Sequence, residues 1–112
     1  MNIEVTDQGE YHLAVLDGVV DEKARESFGE FLHPLIEAAD GRLLIDLRGT
    51  PRIDSPGIGH LVSLVSRANT KGSRVVLVNP TPFVASIFQV TRLDRFFDIA
   101  DSIDDGVQRL LA

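Results

Sequence analysis

The sequence predicts an α/β fold: a small mixed β-sheet opening on an N-terminal hairpin, with helices packed largely on one side. Three observations carry this expectation. The N-terminal stretch "NIEVTDQGEYHLAVLDG" alternates apolar and polar residues, while the runs "RLLIDL" and "RVVLV" are almost continuously apolar. Between and after those runs, apolar residues recur every three or four positions. Alternation marks half-buried strands, unbroken runs mark buried central strands, and the helical period marks the segments that cover them.

Each element follows in order. Ile3 and Val5 alternate, Asp7-Gln8-Gly9 supplies a turn, and Tyr11, Leu13 and Val15 alternate again, so two strands form a hairpin that Gly18 ends. From Asp21 the period becomes helical through Ala24, Phe28, Phe31, Leu32, Leu35, Ile36 and Ala39, with Asp21 as N-cap and Gly41 as stop. Pro34 removes an internal hydrogen bond and predicts a kink or break near His33. "RLLIDL" is the first central strand and "GTPRID" a loop. A second helix runs from Pro56 to Lys71, with Ile58, Leu61, Val62, Val65 and Ala68 on one face, and Gly72 ends it. "RVVLV" is the next buried strand, closed by Asn79-Pro80. Thr81-Pro82 then opens a third helix carrying Val84, Ile87 and Val90, with Pro82 at its first position. "FFDIA" is a short edge strand. Ser102 with Asp105 starts a last helix through Ile103, Val107, Leu110 and Leu111.

Composition narrows the function classes. The 112 residues, 44% hydrophobic and 25% charged, suit one domain over residues 1–112 with a modest core. A net charge of -6 argues against a nucleic-acid partner, which needs a basic face. The absence of cysteine removes disulfides and thiolate chemistry. No apolar run approaches the roughly 20 residues of a membrane span, and the acidic N-terminus does not read as a signal peptide. The expectation is a soluble, cytoplasmic protein without membrane insertion.

Enzymatic signatures fail one by one. His12, His33 and His60 stand alone, without metal-ligand spacing. Gly57 and Gly59 form a G-x-G fragment that lacks the rest of a nucleotide fingerprint. Ser55 lacks a nucleophile elbow. Asp46 and Asp54 lie at strand and loop ends, where acids ordinarily cap turns. A strand ending in Asp46 suggests a receiver phosphoacceptor, but Asn79 stands where a receiver needs lysine. No enzyme and no cofactor are expected.

The turn Asp54-Ser55-Pro56-Gly57 holds more. Read structurally, Ser55 caps the second helix and Pro56 sits at its first position. A helix start is also positively polarised, so a phosphate on Ser55 would sit there favourably and add charge to an exposed surface. The stretches "LLIDLRGTPRIDSPGIGHLVSL" and "GSRVVLVNPTPFVASIFQVTRLDRFFDIADSIDDGV", with "LAVLDGVVD" before them, resemble the STAS domain of bacterial anti-sigma factor antagonists. That pattern has a buried strand ending Asp-Leu, an Asp-Ser-Ser-Gly-Leu-Gly turn, a strand ending Asn-Pro and a late Thr-Gly-Leu-Asp before an aromatic.

The resemblance implies a non-enzymatic partner switch. The unphosphorylated antagonist binds an anti-sigma factor, commonly a serine kinase, and phosphorylation of the turn serine blocks binding. The usual acceptor precedes the first glycine, and here that residue is Pro56, which has no hydroxyl. The chain is then a constitutive antagonist, an antagonist modified at Ser55, or a STAS protein that never used phosphate. The expected partner face comprises Arg52, Asp54, Ser55, Pro56, Gly57 and His60, bordered by Asn79 and Thr81. Gly57 and Gly59 suit close backbone approach. An alternative is a STAS subunit of a lipid-type ABC transport assembly, binding its ATPase subunit. An exposed hairpin edge would also permit a homodimer.

Overall fold

The computed structural model describes residues 1–112. Its strands are β1 (Asn2–Asp7), β2 (His12–Asp17), β3 (Arg42–Gly49), β4 (Arg74–Val78) and β5 (Asp98–Ala100). Its helices are α1 (Ala24–Phe31), α2 (His33–Ile36), α3 (Ser55–Lys71), α4 (Pro82–Val90) and α5 (Ile103–Leu111), with a 3-10 turn at Leu93–Arg95. The strands lie in sequence order in one sheet, β1 antiparallel to β2 and every other neighbour parallel. The expected mixed sheet with an N-terminal hairpin is therefore present, and β5 is its short far edge.

Alternation along β3 assigns the two faces. Leu43, Ile45 and Leu47 join a large core with residues of α1, α2, α3 and α4, including Phe28, Ile36, Leu61, Leu64, Val84 and Phe88. Leu44 points the other way, into a small core with Val76, Val78, Ala100 and Leu110, which α5 covers. Phe88 and Phe97 meet edge-on with centroids 5.1 Å apart, closing the large core beneath α4.

Local departures from expectation have physical causes. In β2 the fully buried residues are Ala14 and Leu16. Tyr11 and Leu13 serve the small core on the opposite face, and Val15 is exposed. The strand is apolar on both faces, so alternation alone did not say which set met the large core. Asp21 does not cap α1; its carboxylate accepts the Lys23 N–H at 2.9 Å in a turn, and the helix begins at Ala24. The expected break near His33 is present, with Pro34 inside the separate turn of α2. Val90 is 81% exposed, whereas Val84 and Phe88 carry the buried face of α4.

An ion-pair cluster ties the end of α2 to α3. Glu37 accepts from Arg67 Nε at 3.0 Å and lies 3.6 Å from Lys71 Nζ. The Arg67 hydrogen bond, then its charge and that of Lys71, hold the Glu37 carboxyl below its ordinary range despite some desolvation. Burial pushes the neighbouring His33 imidazole down, against the attraction of Glu37. Both groups bind protons more weakly in the folded chain, so each contributes stability that is lost on acidification. The His33 share goes as pH falls below 6.5, and the Glu37 share as it falls below 4.5. Urea midpoints measured from neutral to acid pH should fall through both windows; His33→Gln should flatten the upper fall and Glu37→Gln the lower.

Candidate functional site

The site is the passage from β3 into α3. The chain leaves β3 and runs beside Val20 as an isolated parallel bridge between Val20 and Ile53. Val20 donates its N–H to the Arg52 carbonyl at 3.1 Å, and its carbonyl accepts from the Asp54 N–H at 3.3 Å. Asp54 is thereby held extended, with φ -110° and ψ -177°, and caps α3 by accepting the Gly57 N–H on Oδ1 at 3.0 Å. Its carbonyl accepts from Ile58 N–H at 2.9 Å.

This corrects the expected cap. Asp54, not Ser55, closes the helix start, so Ser55 is the first helical residue and Pro56 the second. Two adjacent residues could each have capped; the backbone anchor on Val20 selects the one whose N–H it holds. The residue before a proline ordinarily prefers extended backbone, and Ser55 is helical nonetheless. Asp54, Ser55 and Pro56 are exposed, as is Arg52.

The other expected site residues divide. Gly57 is buried, and a Cβ there would overlap the Val20 carbonyl oxygen. Its close approach is therefore internal, and Gly57 offers no surface to a visitor. Gly59 is open, with nothing within 4 Å of a built Cβ. His60 turns toward α1: its Nε2 lies 3.7 Å from Glu22 Oε2 and its ring 6.3 Å from that of Phe28, leaving the side chain 17% exposed. Thr81 caps α4 through Val84 N–H at 3.3 Å and donates to the Thr50 carbonyl at 3.2 Å, which joins the α4 start to the β3–α3 loop. Asn79 lies elsewhere. With its amide turned so that both ends are partnered, it donates to the Asp101 carbonyl at 2.8 Å and accepts from Arg48 at 3.1 Å. Asp46, the residue beyond Leu44 by one strand repeat, neighbours that network on the α5 side of the sheet. Neighbouring strands do end together, but Asn79 meets Arg48 and Asp101 while Thr81 meets Thr50, so the two do not border one face.

One residue escaped the sequence reading. Phe83, in the first turn of α4, is 47% exposed and lines a shallow groove of about 250 Å³ with Val19, Arg52, Ile53 and Asp54. The expected stripe of Val84, Ile87 and Val90 passed over both Phe83 and Phe88; the structure buries Phe88 with Val84 and leaves Phe83 outside. The arrangement is a rigid, largely polar platform with one aromatic at its border, a shape suited to gripping another surface. Gly57→Ala should lower stability by about 3 kcal/mol, because a backbone carbonyl must move. Gly59→Ala should raise it by about 0.5–1 kcal/mol, because only helix propensity changes. Urea denaturation of the two variants checks the opposite signs.

Comparison with known proteins bears on this geometry. Residues 4–101 match the profile of the family described as "Mlab, STAS domain". A Thermotoga neapolitana protein with the provisional name anti-sigma factor antagonist TM1081 homolog is 28% identical over 83 residues, 74% of this chain and 70% of that protein. The structure of an anti-sigma-factor antagonist (STAS) domain protein from Planctomyces limnophilus superposes with a TM-score of 0.83 at 19% identity, covering 98% of each chain. The anti-sigma factor antagonist SpoIIAA in its unphosphorylated form gives 0.74 at 18% identity, over 96% of this chain and 95% of that one. With the profile spanning most of its length and the fold agreeing strand for strand with expectation, this chain belongs to the STAS domain family.

Proposed function

We propose that this chain is a non-enzymatic partner-switching regulator that docks an anti-sigma factor of the serine-kinase type through the start of α3. The observation that carries this reading is the exposed, cap-locked surface of Arg52, Asp54, Ser55 and Pro56. It lies where the family pattern bears its modifiable hydroxyl. A face already fixed by the Val20 anchor loses little conformational freedom on docking. The names of the relatives support the same role, and one of them, SpoIIAA, is also known in a phosphorylated form.

The switch chemistry is this chain's own. Proline at position 56 has no hydroxyl, which leaves Ser55 as the candidate acceptor in the turn. A phosphate there would bring about -1.5 to -2 charges into a first turn with few free donors. Pro56 has no N–H, the Gly57 N–H goes to Asp54 Oδ1, and the Ile58 N–H goes to the Asp54 carbonyl. Beside the Asp54 carboxylate, such a phosphate would be repelled more than cradled. Modification would weaken the cap and push away any acidic partner surface.

Pro56 favours a second reading as well. A docking face with no hydroxyl at the acceptor position suits a permanent assembly, in which the same residues hold the ATPase subunit of a lipid-type ABC transporter. Affinity purification from native lysate separates the two: permease and ATPase subunits support the second reading, an anti-sigma factor the first.

Two variants test the main reading against a purified cognate anti-sigma kinase. Ser55→Asp should weaken binding at least about tenfold, or ~1.4 kcal/mol, while leaving the urea midpoint within the small range of surface substitutions. Pro56→Ser should become phosphorylated with ATP, read by mass spectrometry of the Arg52–Arg67 peptide. Unchanged binding by Ser55→Asp together with an unmodified Pro56→Ser peptide would remove the proposal.

A further inference from the structure

We infer that α4 presents a second docking face, shaped for an acidic segment of a partner protein that carries apolar residues along one side. The inference extends the proposed footprint from the α3 start to the next helix, and rests on that reading only for the partner's identity.

Exposure is the first observation. The exposed large hydrophobic residues are Met1, Val15, Phe31, Phe83, Val90 and Phe96, so half of them fall between Phe83 and Phe96. Phe83 and Val90 lie at i and i+7 on the exposed side of α4, and Ile87 between them is half-buried against the core that holds Val84 and Phe88. Phe83 is 47% and Val90 81% exposed, and α4 contains no charged residue at all. An apolar row of this kind marks a surface that something covers.

Charge says what covers it. Arg92 and Arg95 follow α4 directly, and Arg52 lines the same groove as Phe83; all three are exposed. None of the chain's ion pairs uses them, as none uses Lys23, Arg25 or Arg42; what sets these three apart is their place at the two ends of α4. The nearby acids are otherwise engaged or turned aside: Asp54 caps α3, and Asp94 lines a separate groove with Asp98 and Asp101. In a chain of net charge -6, three unpaired guanidiniums framing an apolar row run against the general background.

Backbone conformation adds an independent observation. Arg92 has φ 62°, just past the α4 C-cap Thr91, in the left-handed region that favours glycine. An arginine held there against its backbone preference points to a use for its side chain. An anionic bilayer would share the apolar and cationic chemistry, but so extended a surface meets the chain's net charge of -6, whereas a short segment meets only the arginines within a Debye length of about 10 Å. The acidic protein segment is favoured.

The test uses the full chain, isotopically labelled for amide NMR, with three probes. These are a synthetic amphipathic Leu/Glu peptide, its Leu/Lys counterpart, and phosphatidylglycerol vesicles. The Leu/Glu peptide should shift amides across Phe83–Phe96 and bind more weakly as salt rises, while the Leu/Lys peptide should not bind. Val90→Ser and Arg92→Gly should each weaken Leu/Glu binding at least about fivefold. Arg92→Gly relieves the left-handed strain, so its thermal midpoint should hold or rise, which separates lost binding from lost folding. Equal binding of both peptides, shifts elsewhere, unaltered affinity in both variants, or preferential binding of the vesicles would overturn the proposal. The peptides require no anti-sigma factor, so failure here leaves the α3 reading standing, and failure there leaves this one.

Discussion

The backbone of Val20 organises the end of the molecule that carries the candidate site. Its N–H holds the Arg52 carbonyl, its carbonyl takes the Asp54 N–H, and the same carbonyl presses against Gly57. Two residues earlier, the Gly18 N–H donates to the Gly49 carbonyl at 2.9 Å, so the link between β2 and α1 is stitched to the link between β3 and α3. The direction of α3, the choice of its cap and the outward display of Ser55 and Pro56 all descend from this stitching. Within a single short turn, then, the demand for glycine comes from inside the protein, while the serine and proline beside it face solvent.

Most of the architecture was legible because periodicity reports burial directly. The runs "RLLIDL" and "RVVLV" became β3 and β4, and the caps at Thr81 and Ser102 were readable from residue type and spacing. Illegibility had a consistent cause: two residues or two faces of similar chemistry, with the tie broken by a contact distant in sequence. Asp54 and Ser55 are both good caps, and Val20 decided between them. The faces of β2 are both apolar, and the number of helices above each decided their depth. Asn79 and Thr81 are near neighbours in sequence, yet with Asn79 in the left-handed region, φ 56°, Asn79 meets Arg48 and Asp101 while Thr81 meets Thr50. Of the expected partner face, Arg52, Asp54, Ser55 and Pro56 lie together at the surface, Gly57 is interior, and His60 is drawn toward α1.

The α3 start also illustrates how a helix end can be polarised without being receptive. The positive pole of a helix resides in its unpartnered N–H groups. Here a proline abolishes one and an aspartate claims another, so little of that pole remains to greet an anion. The consequence is a surface whose electrostatic character is set by whole side chains, Arg52 and Asp54 above all, more than by the helix dipole.

The single helix over the small core has a practical corollary for spectroscopy. The chain has no tryptophan and one tyrosine, and that Tyr11 packs against the cluster sheltered by α5. Its fluorescence is therefore a local gauge of whether that cover is seated, while far-ultraviolet dichroism averages over every helix. A gap between the two melting curves would reveal the sheet's thinner side loosening before its thicker one.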